Sequence, residues 1–150
     1  YKKYEIKEKL VIIGDGELKD YLLKLIRECN LEKRIFIINY RKNIFNYIKK
    51  AKAVIVPSLW EDPGFVMIET AYLKSSLICS DCPSGPKEFI EKNRGGFLFK
   101  SNSLVSLNKS IRFFLNLNRF EINKKILYSK TKSKIYTIEN HSKILDRYIN

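Results

Sequence analysis

The chain has 150 residues, of which 45% are hydrophobic and 13% aromatic, and it carries a formal net charge of +13. This composition excludes a disordered chain and is enough for one sizeable core. No apolar run approaches the roughly 18 residues of a membrane span, and the charged start YKKYEIKEK lacks the apolar segment of a signal peptide. The first residue is Tyr1 rather than Met, so we expect a part of a longer protein or a trimmed start.

Apolar runs and segments with helical periodicity alternate along the first 100 residues. Residues 10–13 (LVII) predict a buried strand, and leucine and isoleucine then recur at helical spacing through residues 17–29. The further predicted strands are 34–38, 53–56, 76–80 and 96–99, and the further predicted helices are 44–51, 64–74 and 85–92. From Ser103 onward the pattern is helical and basic.

Continuously apolar strands separated by helices predict a parallel sheet with helices on both faces, which is a Rossmann-like α/β fold. We predict such a domain over residues 1–100 and a basic helical segment over residues 101–150 that packs on the same domain. In these sheets ligands bind beyond the carboxyl ends of the strands. The segments GDGE, NYRKN, PSLWEDPGF and SDCPSGP all follow predicted strands, so the site is expected on that edge.

The segment WEDPGFVMIE (60–69) has the composition of an anion site. If a helix begins near Gly64, the N–H groups of Gly64, Phe65 and Val66 have no intrahelical acceptor and can bind a phosphate together with the helix dipole. Glycine also lets an anion approach the backbone closely. Glu61 precedes this helix and Glu69 lies within it, so the two carboxylates can accept hydroxyl hydrogen bonds from two parts of one extended ligand.

The same residues have purely structural alternatives. Glu61 can serve as a helix N-terminal charge, and Glu69 as an exposed helical side chain. Trp60, Phe65 and Met67 are predicted to be core residues rather than residues that stack on a sugar.

The cysteines favour a reducing compartment, because the chain has three of them and they lack the spacing of a disulfide framework. Cys79 and Cys82 form a C-x-x-C, but Cys29 and His141 are far away in sequence and provide no second half of a metal site. We therefore predict ordinary thiols at a strand end, with no metal.

The positive charge is distributed unevenly. Residues 1–50 carry 13 basic and 7 acidic side chains, residues 51–100 carry 6 of each, and residues 101–150 carry 10 basic and 3 acidic ones. Basic flanks of this kind attract polyanions or an anionic membrane surface, and a solvated lysine-rich exterior explains them equally well.

The stretch PSLWEDPGFVMIETA, with VIIGDGELKDYL before it and SDCPSGPKEFI after it, resembles the donor-binding C-terminal half of a family 4 retaining glycosyltransferase with the GT-B fold. That family carries two glutamates separated by seven residues, and Glu61 and Glu69 fit this spacing. Matching segments run from about Leu10 to Lys100. The family's first strand and helix of this domain, with an Arg and a Lys that clamp the diphosphate, have no counterpart here, and neither has its N-terminal acceptor domain.

The resemblance implies a role for each matching residue. Glu69 would bind the ribose hydroxyls of a nucleotide-sugar donor, and Glu61 would hold the donor sugar and be the catalytic candidate. The backbone of Gly64, Phe65 and Val66 would meet the diphosphate and the sugar. The loop with Asn39 and Tyr40 would flank the base.

The resemblance also implies transfer with retention of configuration, in which electrostatic interactions rather than a metal ion stabilise the leaving diphosphate. No cofactor is expected, since the nucleotide sugar is a substrate.

We therefore expect the donor-binding part of a hexosyltransferase-type enzyme of cell-envelope polysaccharide, lipopolysaccharide or glycolipid synthesis. Its acceptor would be lipid-linked or a saccharide, and its location cytoplasmic or peripheral at the inner face of the membrane. The chain alone is expected to be inactive without the N-terminal domain or a partner chain.

Two alternatives remain open from the sequence. One is a basic nucleic-acid-binding module without catalysis, for which the tail offers dispersed cations but no known motif: Lys124, Lys125, Lys130, Lys132 and Lys134. The other is a vestigial or split-gene fragment that needs a partner chain.

Overall fold

The computed structural model describes residues 6–62 and 64–149, and the chain divides into two compact units, Tyr1–Ile44 and Phe45–Asn150. In the first unit, strands β1 (Leu10–Ile13) and β2 (Ile35–Ile38) pair in parallel, with Leu10 opposite Ile35 and Ile13 opposite Ile38. Helix α1 (Lys19–Glu28) connects the two strands and contacts β2, and its Ile26 is buried.

The second unit contains a three-stranded parallel sheet with the order β3-β4-β5. Its strands are β3 (Val54–Val56), β4 (Leu77–Ser80) and β5 (Phe97–Phe99). Helix α2 (Phe45–Lys50) precedes the sheet, and helices α3 (Phe65–Tyr72) and α4 (Pro86–Ile90) connect its strands. Helices α5 (Leu104–Asn116) and α6 (Arg119–Ser133), a short 3-10 turn (Lys134–Tyr136) and helix α7 (Ile138–Ile149) follow.

The core of the second unit lies on both faces of this sheet, because successive side chains of a strand point to opposite faces. On one face, Leu77 and Cys79 pack with residues of α3 and α4, which are Met67, Ile68, Ala71, Phe89 and Ile90. On the other face, Ile78 packs with Phe97, Phe99 and Phe114, the last of these from α5. The parallel sheet covered by helices on both faces confirms the predicted fold class.

Most predicted element boundaries agree with the structure to within one or two residues, and strand 10–13 agrees at both ends. One difference concerns the sheet. We expected one parallel sheet, and the described residues form a two-stranded parallel ladder within the first unit and a three-stranded parallel ladder within the second. Among the described residues, no helix is long and apolar enough to cross a membrane.

Candidate functional site

The amino end of α3 presents open backbone donors. Gly64 precedes the helix with a left-handed conformation (φ 81°, ψ 67°), and no side chain caps the helix there. The N–H groups of Met67 and Ile68 already donate to the Gly64 carbonyl. In the described part of the chain, the N–H groups of Gly64, Phe65 and Val66 donate to no acceptor. Three donors are therefore available at the positive end of the helix dipole.

The carboxylate of Glu61 lies beside this helix end. Its Oε1 accepts a hydrogen bond of 2.5 Å from the Ser58 hydroxyl. Its Oε2 lies only 3.1 Å from the position that a Cβ on Gly64 would occupy. The positive φ favours glycine at position 64, and a Cβ there would also displace the Glu61 carboxylate by a few tenths of an ångström. Because Ser58 binds only one carboxylate oxygen, Oε2 can accept a hydrogen bond from a ligand.

A buried serine fixes the loop that carries Glu61. Ser80, at the end of β4 and fully buried, donates from its hydroxyl to the Ser58 carbonyl at a distance of 2.5 Å. Ser80 thus positions Ser58, which in turn binds Glu61. Neither serine was predicted from the sequence to have a role. The signal that was available is a hydroxyl at the end of an otherwise apolar strand, where a buried polar group needs a partner.

Glu69 lies four residues into α3 from Phe65, about 6 Å further along the helix axis. The buried face of α3 consists of Met67, Ile68, Thr70 and Ala71. Glu69 is half-buried on the other side, between the exposed Phe65 and Tyr72. Its carboxylate has no hydrogen-bond or ion-pair partner among the described residues, so both oxygens can accept hydroxyl hydrogen bonds.

The prediction that Trp60 and Phe65 belong to the core is wrong, since their exposed fractions are 63% and 67%. The prediction for Met67, which is 1% exposed, is confirmed. The difference follows from the helix period. Burying positions 67, 68 and 71 of α3 directs position 65 to the opposite side. Trp60 lies in the loop before α3, beyond the end of β3. Both aromatic rings are therefore available to a ligand.

Asn39 and Tyr40 follow β2 in the first unit and take part in a polar network. The Lys19 ammonium donates to Asp15 Oδ1 at 2.8 Å and to Asn39 Oδ1 at 2.6 Å. The Tyr40 backbone N–H donates to Asp15 Oδ2 at 2.7 Å, while its ring is exposed. The hydrogen bonds from Lys19 and Tyr40 lower the pKa of Asp15. This network joins the loop after β1 to the loop after β2, and a role of Asn39 and Tyr40 beside a base stays a prediction.

The two cysteines of the C-x-x-C segment are buried free thiols. Burial above all, together with the nearby Cys82 and Glu61, raises the pKa of Cys79 to about 12. The Cys79 thiol is therefore protonated and unreactive at neutral pH. Within the described ranges, no group of three His, Cys, Asp or Glu side chains is placed to hold a metal ion.

Three lysines of the basic tail have partners within the protein. The ammonium groups of Lys125, Lys130 and Lys132 on α6 donate to backbone carbonyls in the segments they pack against, which are those of Asn93, Tyr72 and Glu88 respectively. These contacts attach α6 to α3 and to the α4 region. The lysines thus have a structural role, which weakens the alternative that they follow a nucleic-acid backbone.

Comparison with known proteins gives consistent matches over most of the chain. Residues 2–133 match the family described as glycosyl transferases group 1. N-acetylgalactosamine-N,N'-diacetylbacillosaminyl-diphospho-undecaprenol 4-alpha-N-acetylgalactosaminyltransferase of Campylobacter jejuni is 30% identical over 115 residues, which are 77% of this chain and 32% of that protein. Poly(ribitol-phosphate) alpha-N-acetylglucosaminyltransferase of Staphylococcus aureus is 28% identical over 142 residues, which are 95% of this chain and 28% of that protein.

A solved structure shares the fold. The crystal structure of a TarM variant from S. aureus, in complex with fondaparinux, alpha-GlcNAc-glycerol and UDP, matches with a TM-score of 0.81 and 27% identity over 95% of this chain and 28% of that chain. The chain spans about a third or less of the length of the curated relatives it matches. The family match over residues 2–133 confirms the resemblance seen in the sequence, and the chain belongs to the group 1 glycosyl transferases, which have the GT-B fold.

Proposed function

We propose that this chain binds a nucleotide-sugar donor and forms the donor half of a retaining glycosyltransferase. The observation that carries this proposal is the amino end of α3, where three N–H groups that have no acceptor among the described residues lie beside the Glu61 carboxylate. Such a helix end binds a diphosphate through its backbone donors and its dipole. A sugar attached to that diphosphate would then lie next to Glu61.

The two glutamates have complementary tasks in this proposal. Glu61 Oε2 accepts a hydrogen bond from a hydroxyl of the donor sugar, while the Ser58 hydroxyl holds Oε1. Glu69 has two unoccupied oxygens and accepts from both ribose hydroxyls of the nucleoside. The family resemblance further predicts that the loop with Asn39 and Tyr40 flanks the base.

The chemistry rests on electrostatic stabilisation. When the bond between the sugar and the diphosphate breaks, negative charge develops on the leaving phosphate oxygen. The N–H groups of Gly64, Phe65 and Val66 are directed at that charge and favour the transition state over the ground state. This stabilisation requires neither a metal ion nor a cofactor, and we propose that the reaction uses neither.

The names of two relatives indicate the class of acceptor. One relative's name specifies a diphospho-undecaprenol acceptor, and another's specifies poly(ribitol-phosphate). We propose that this chain likewise serves cell-envelope synthesis, with a lipid-linked or saccharide acceptor, peripherally at the inner face of the membrane. Because the chain spans only part of these relatives, we propose that acceptor binding and full activity need residues outside it, from an N-terminal domain or a partner chain.

The proposal is tested by calorimetric titration of the chain with UDP, GDP and ADP at two salt concentrations. We expect one diphosphate to bind selectively. We also expect Glu69→Ala to weaken that binding by about tenfold or more, as the loss of a charged hydrogen bond requires.

The matched control is Asp146→Ala, which removes an exposed carboxylate from α7 and leaves α3 intact. Equal affinities of the wild type and Glu69→Ala would contradict the assignment of Glu69. Failure of all three diphosphates to bind would contradict the donor site itself.

A further inference from the structure

The second unit also has a cavity at the amino ends of its strands, away from the candidate donor site. A cavity of about 480 Å³ lies where β3 and β4 begin, whereas Glu61 and Gly64 follow the end of β3. This volume is within the range of sites that hold small ligands. Its walls come from the end of α2, the segment between α3 and β4, and helices α5 and α6.

The charge of this cavity has one sign. Four cationic side chains line it, and none of the described residues that line it is acidic: the cations are Lys49, Lys52, Lys74 and Arg119. In the described chain, Lys49, Lys74 and Arg119 have no carboxylate partner. The positive field extends beyond the cavity. Burial lowers the pKa of Lys130, and the nearby charges of Lys74 and Lys134 lower it further.

The lining of the cavity includes the hydroxyl of Ser76, which can donate a hydrogen bond. Ser76 lines the cavity and is 6% exposed, and its hydroxyl has no partner among the described residues. The adjacent Ser75 differs, because its hydroxyl donates to the Ile48 carbonyl at 2.8 Å. The Ser76 hydroxyl can therefore donate a hydrogen bond to a ligand in the cavity.

The remaining lining is mostly apolar: Asn123 is polar, and Ala51, Phe114, Leu115, Ile122 and Ile126 are apolar. A ligand that suits the whole cavity therefore has a multiply charged anionic group and an apolar part beside it. Phosphate fits the anionic part, since it accepts several hydrogen bonds from ammonium and guanidinium groups at once.

We propose that the cavity lined by Lys49, Lys74, Arg119 and Ser76 binds a phosphate group of an amphiphilic ligand, at a site separate from the donor site. The three cations contact the phosphate oxygens, and the Ser76 hydroxyl donates to one of them. Phospholipid headgroups and water-soluble phosphate esters share this chemistry.

The test compares two variants of equal charge. The cavity variant carries Lys49→Gln, Lys74→Gln and Arg119→Gln. The control carries Lys109→Gln, Lys92→Gln and Arg147→Gln, which are exposed residues that do not line the cavity. The pairs match in local structure. Lys49 and Lys109 are helical, Lys74 and Lys92 have φ values of 59° and 50°, and both arginines are helical.

Each protein is titrated calorimetrically with glycerol 3-phosphate. In a separate experiment it is sedimented with vesicles of phosphatidylglycerol in phosphatidylcholine, and vesicles of phosphatidylcholine alone are the control. We expect the wild type to bind at least one phosphate probe and the cavity variant to bind it about tenfold or more weakly. We expect the control to lose no more than about twofold, since its cations are dispersed on the surface. Binding of glycerol 3-phosphate identifies a soluble ester, and binding of phosphatidylglycerol vesicles alone identifies a lipid headgroup.

A second variant separates a specific site from general charge. Ser76→Ala leaves the net charge unchanged, and we expect it to weaken binding of the same probe severalfold. The proposal is overturned if the wild type binds neither probe, or if the cavity variant and the control lose affinity equally. UDP binding by the cavity variant, which we expect to remain, confirms that the variant is folded and keeps this test independent of the donor site.

Discussion

The two edges of the β3-β4-β5 sheet offer an anion different kinds of partner. At the carboxyl edge, backbone N–H groups of α3 are the donors, and an acidic side chain, Glu61, lies beside them. At the amino edge, the donors are long cationic side chains and the Ser76 hydroxyl. Backbone donors are fixed in direction and select a ligand by geometry, whereas lysine and arginine attract anions over a longer range that salt screens. Under the two proposals above, this sheet orients one anion at its carboxyl edge and attracts another at its amino edge.

Both sites depend on a stable sheet, so loss of a core side chain should destabilise the protein as a whole. Phe89 is 1% exposed and packs against β4 with residues of α3. We expect Phe89→Ala to lower the free energy of unfolding by about 3–5 kcal/mol, because it removes a fully buried aromatic side chain and leaves a cavity. Urea denaturation measures this change.

The control is Phe120→Ala, at a residue that is 74% exposed. We expect it to change stability by less than about 0.5 kcal/mol. If both phenylalanine variants had similar stability, the sheet would not depend on the core described above.

The hydrogen bond from Ser80 to Ser58 should affect only the carboxyl edge. We expect Ser80→Ala to cost about 1–3 kcal/mol, since it leaves the Ser58 carbonyl without its buried donor. The same variant should weaken UDP binding, because the loop that holds Glu61 loses its attachment. Ser142→Ala, at an exposed position of α7, is the control for both measurements. A stable variant with unchanged UDP affinity would show that Ser80 has no positioning role.

A substitution at Gly64 tests the conformation of the carboxyl edge more specifically. An alanine there has to adopt a φ near 81° and places its Cβ 3.1 Å from Glu61 Oε2. We expect Gly64→Ala to cost about 1–2 kcal/mol in stability and to weaken UDP binding, while binding of the phosphate probe at the amino edge is retained.

Gly16→Ala is the matched control, since a Cβ at Gly16 meets nothing within 4 Å. We expect it to leave the stability nearly unchanged. Equal effects of the two substitutions would mean that the conformation at position 64 does not shape the site.

The effect that is smallest at neutral pH concerns the Cys79 thiol at the end of β4. Its pKa is raised from 9.0 to about 12, so the folded state keeps its proton where the unfolded thiol has ionised. The unfolded state then binds fewer protons, and the contribution of Cys79 to stability is constant below pH 9 and falls between pH 9 and about 12.

The burial of Cys79 is measured by its reaction with a thiol reagent at pH 8. In the native chain we expect fast modification of Cys29 alone, since Cys79 and Cys82 are buried, and modification of all three thiols after unfolding. Fast native modification of Cys79 would contradict its burial.

The elements of the fold were predictable because their signals are local. Buried parallel strands are continuous apolar runs, as in Leu10–Ile13, and turns with glycine separate them from helices. The helix start at Gly64 was predictable for the same reason, since the glycine and the first helical residues are adjacent in sequence. The two-glutamate spacing further identified the family.

Other features depend on residues that are distant in sequence. Ser80 and Ser58 are 22 positions apart, and their hydrogen bond exists only once β4 lies beside β3. The amino-edge cavity collects Lys49, Lys74 and Arg119 from three separate segments, so no short motif indicates it. The exposure of Phe65 depends on which face of α3 packs against the sheet. Apolar residues occur on several sides of that helix, so the sequence did not identify the buried face.

The most direct test of the account is an NMR titration of the ¹⁵N-labelled chain with UDP, followed through its backbone amides. If the amino end of α3 binds the diphosphate, the amides of Gly64, Phe65 and Val66 will show the largest shifts, and those of Ser75 and Ser76 will change little. Largest shifts at Ser75 and Ser76, or shifts spread evenly over the lysine-rich surface, would contradict the assignment of the donor site to the carboxyl edge.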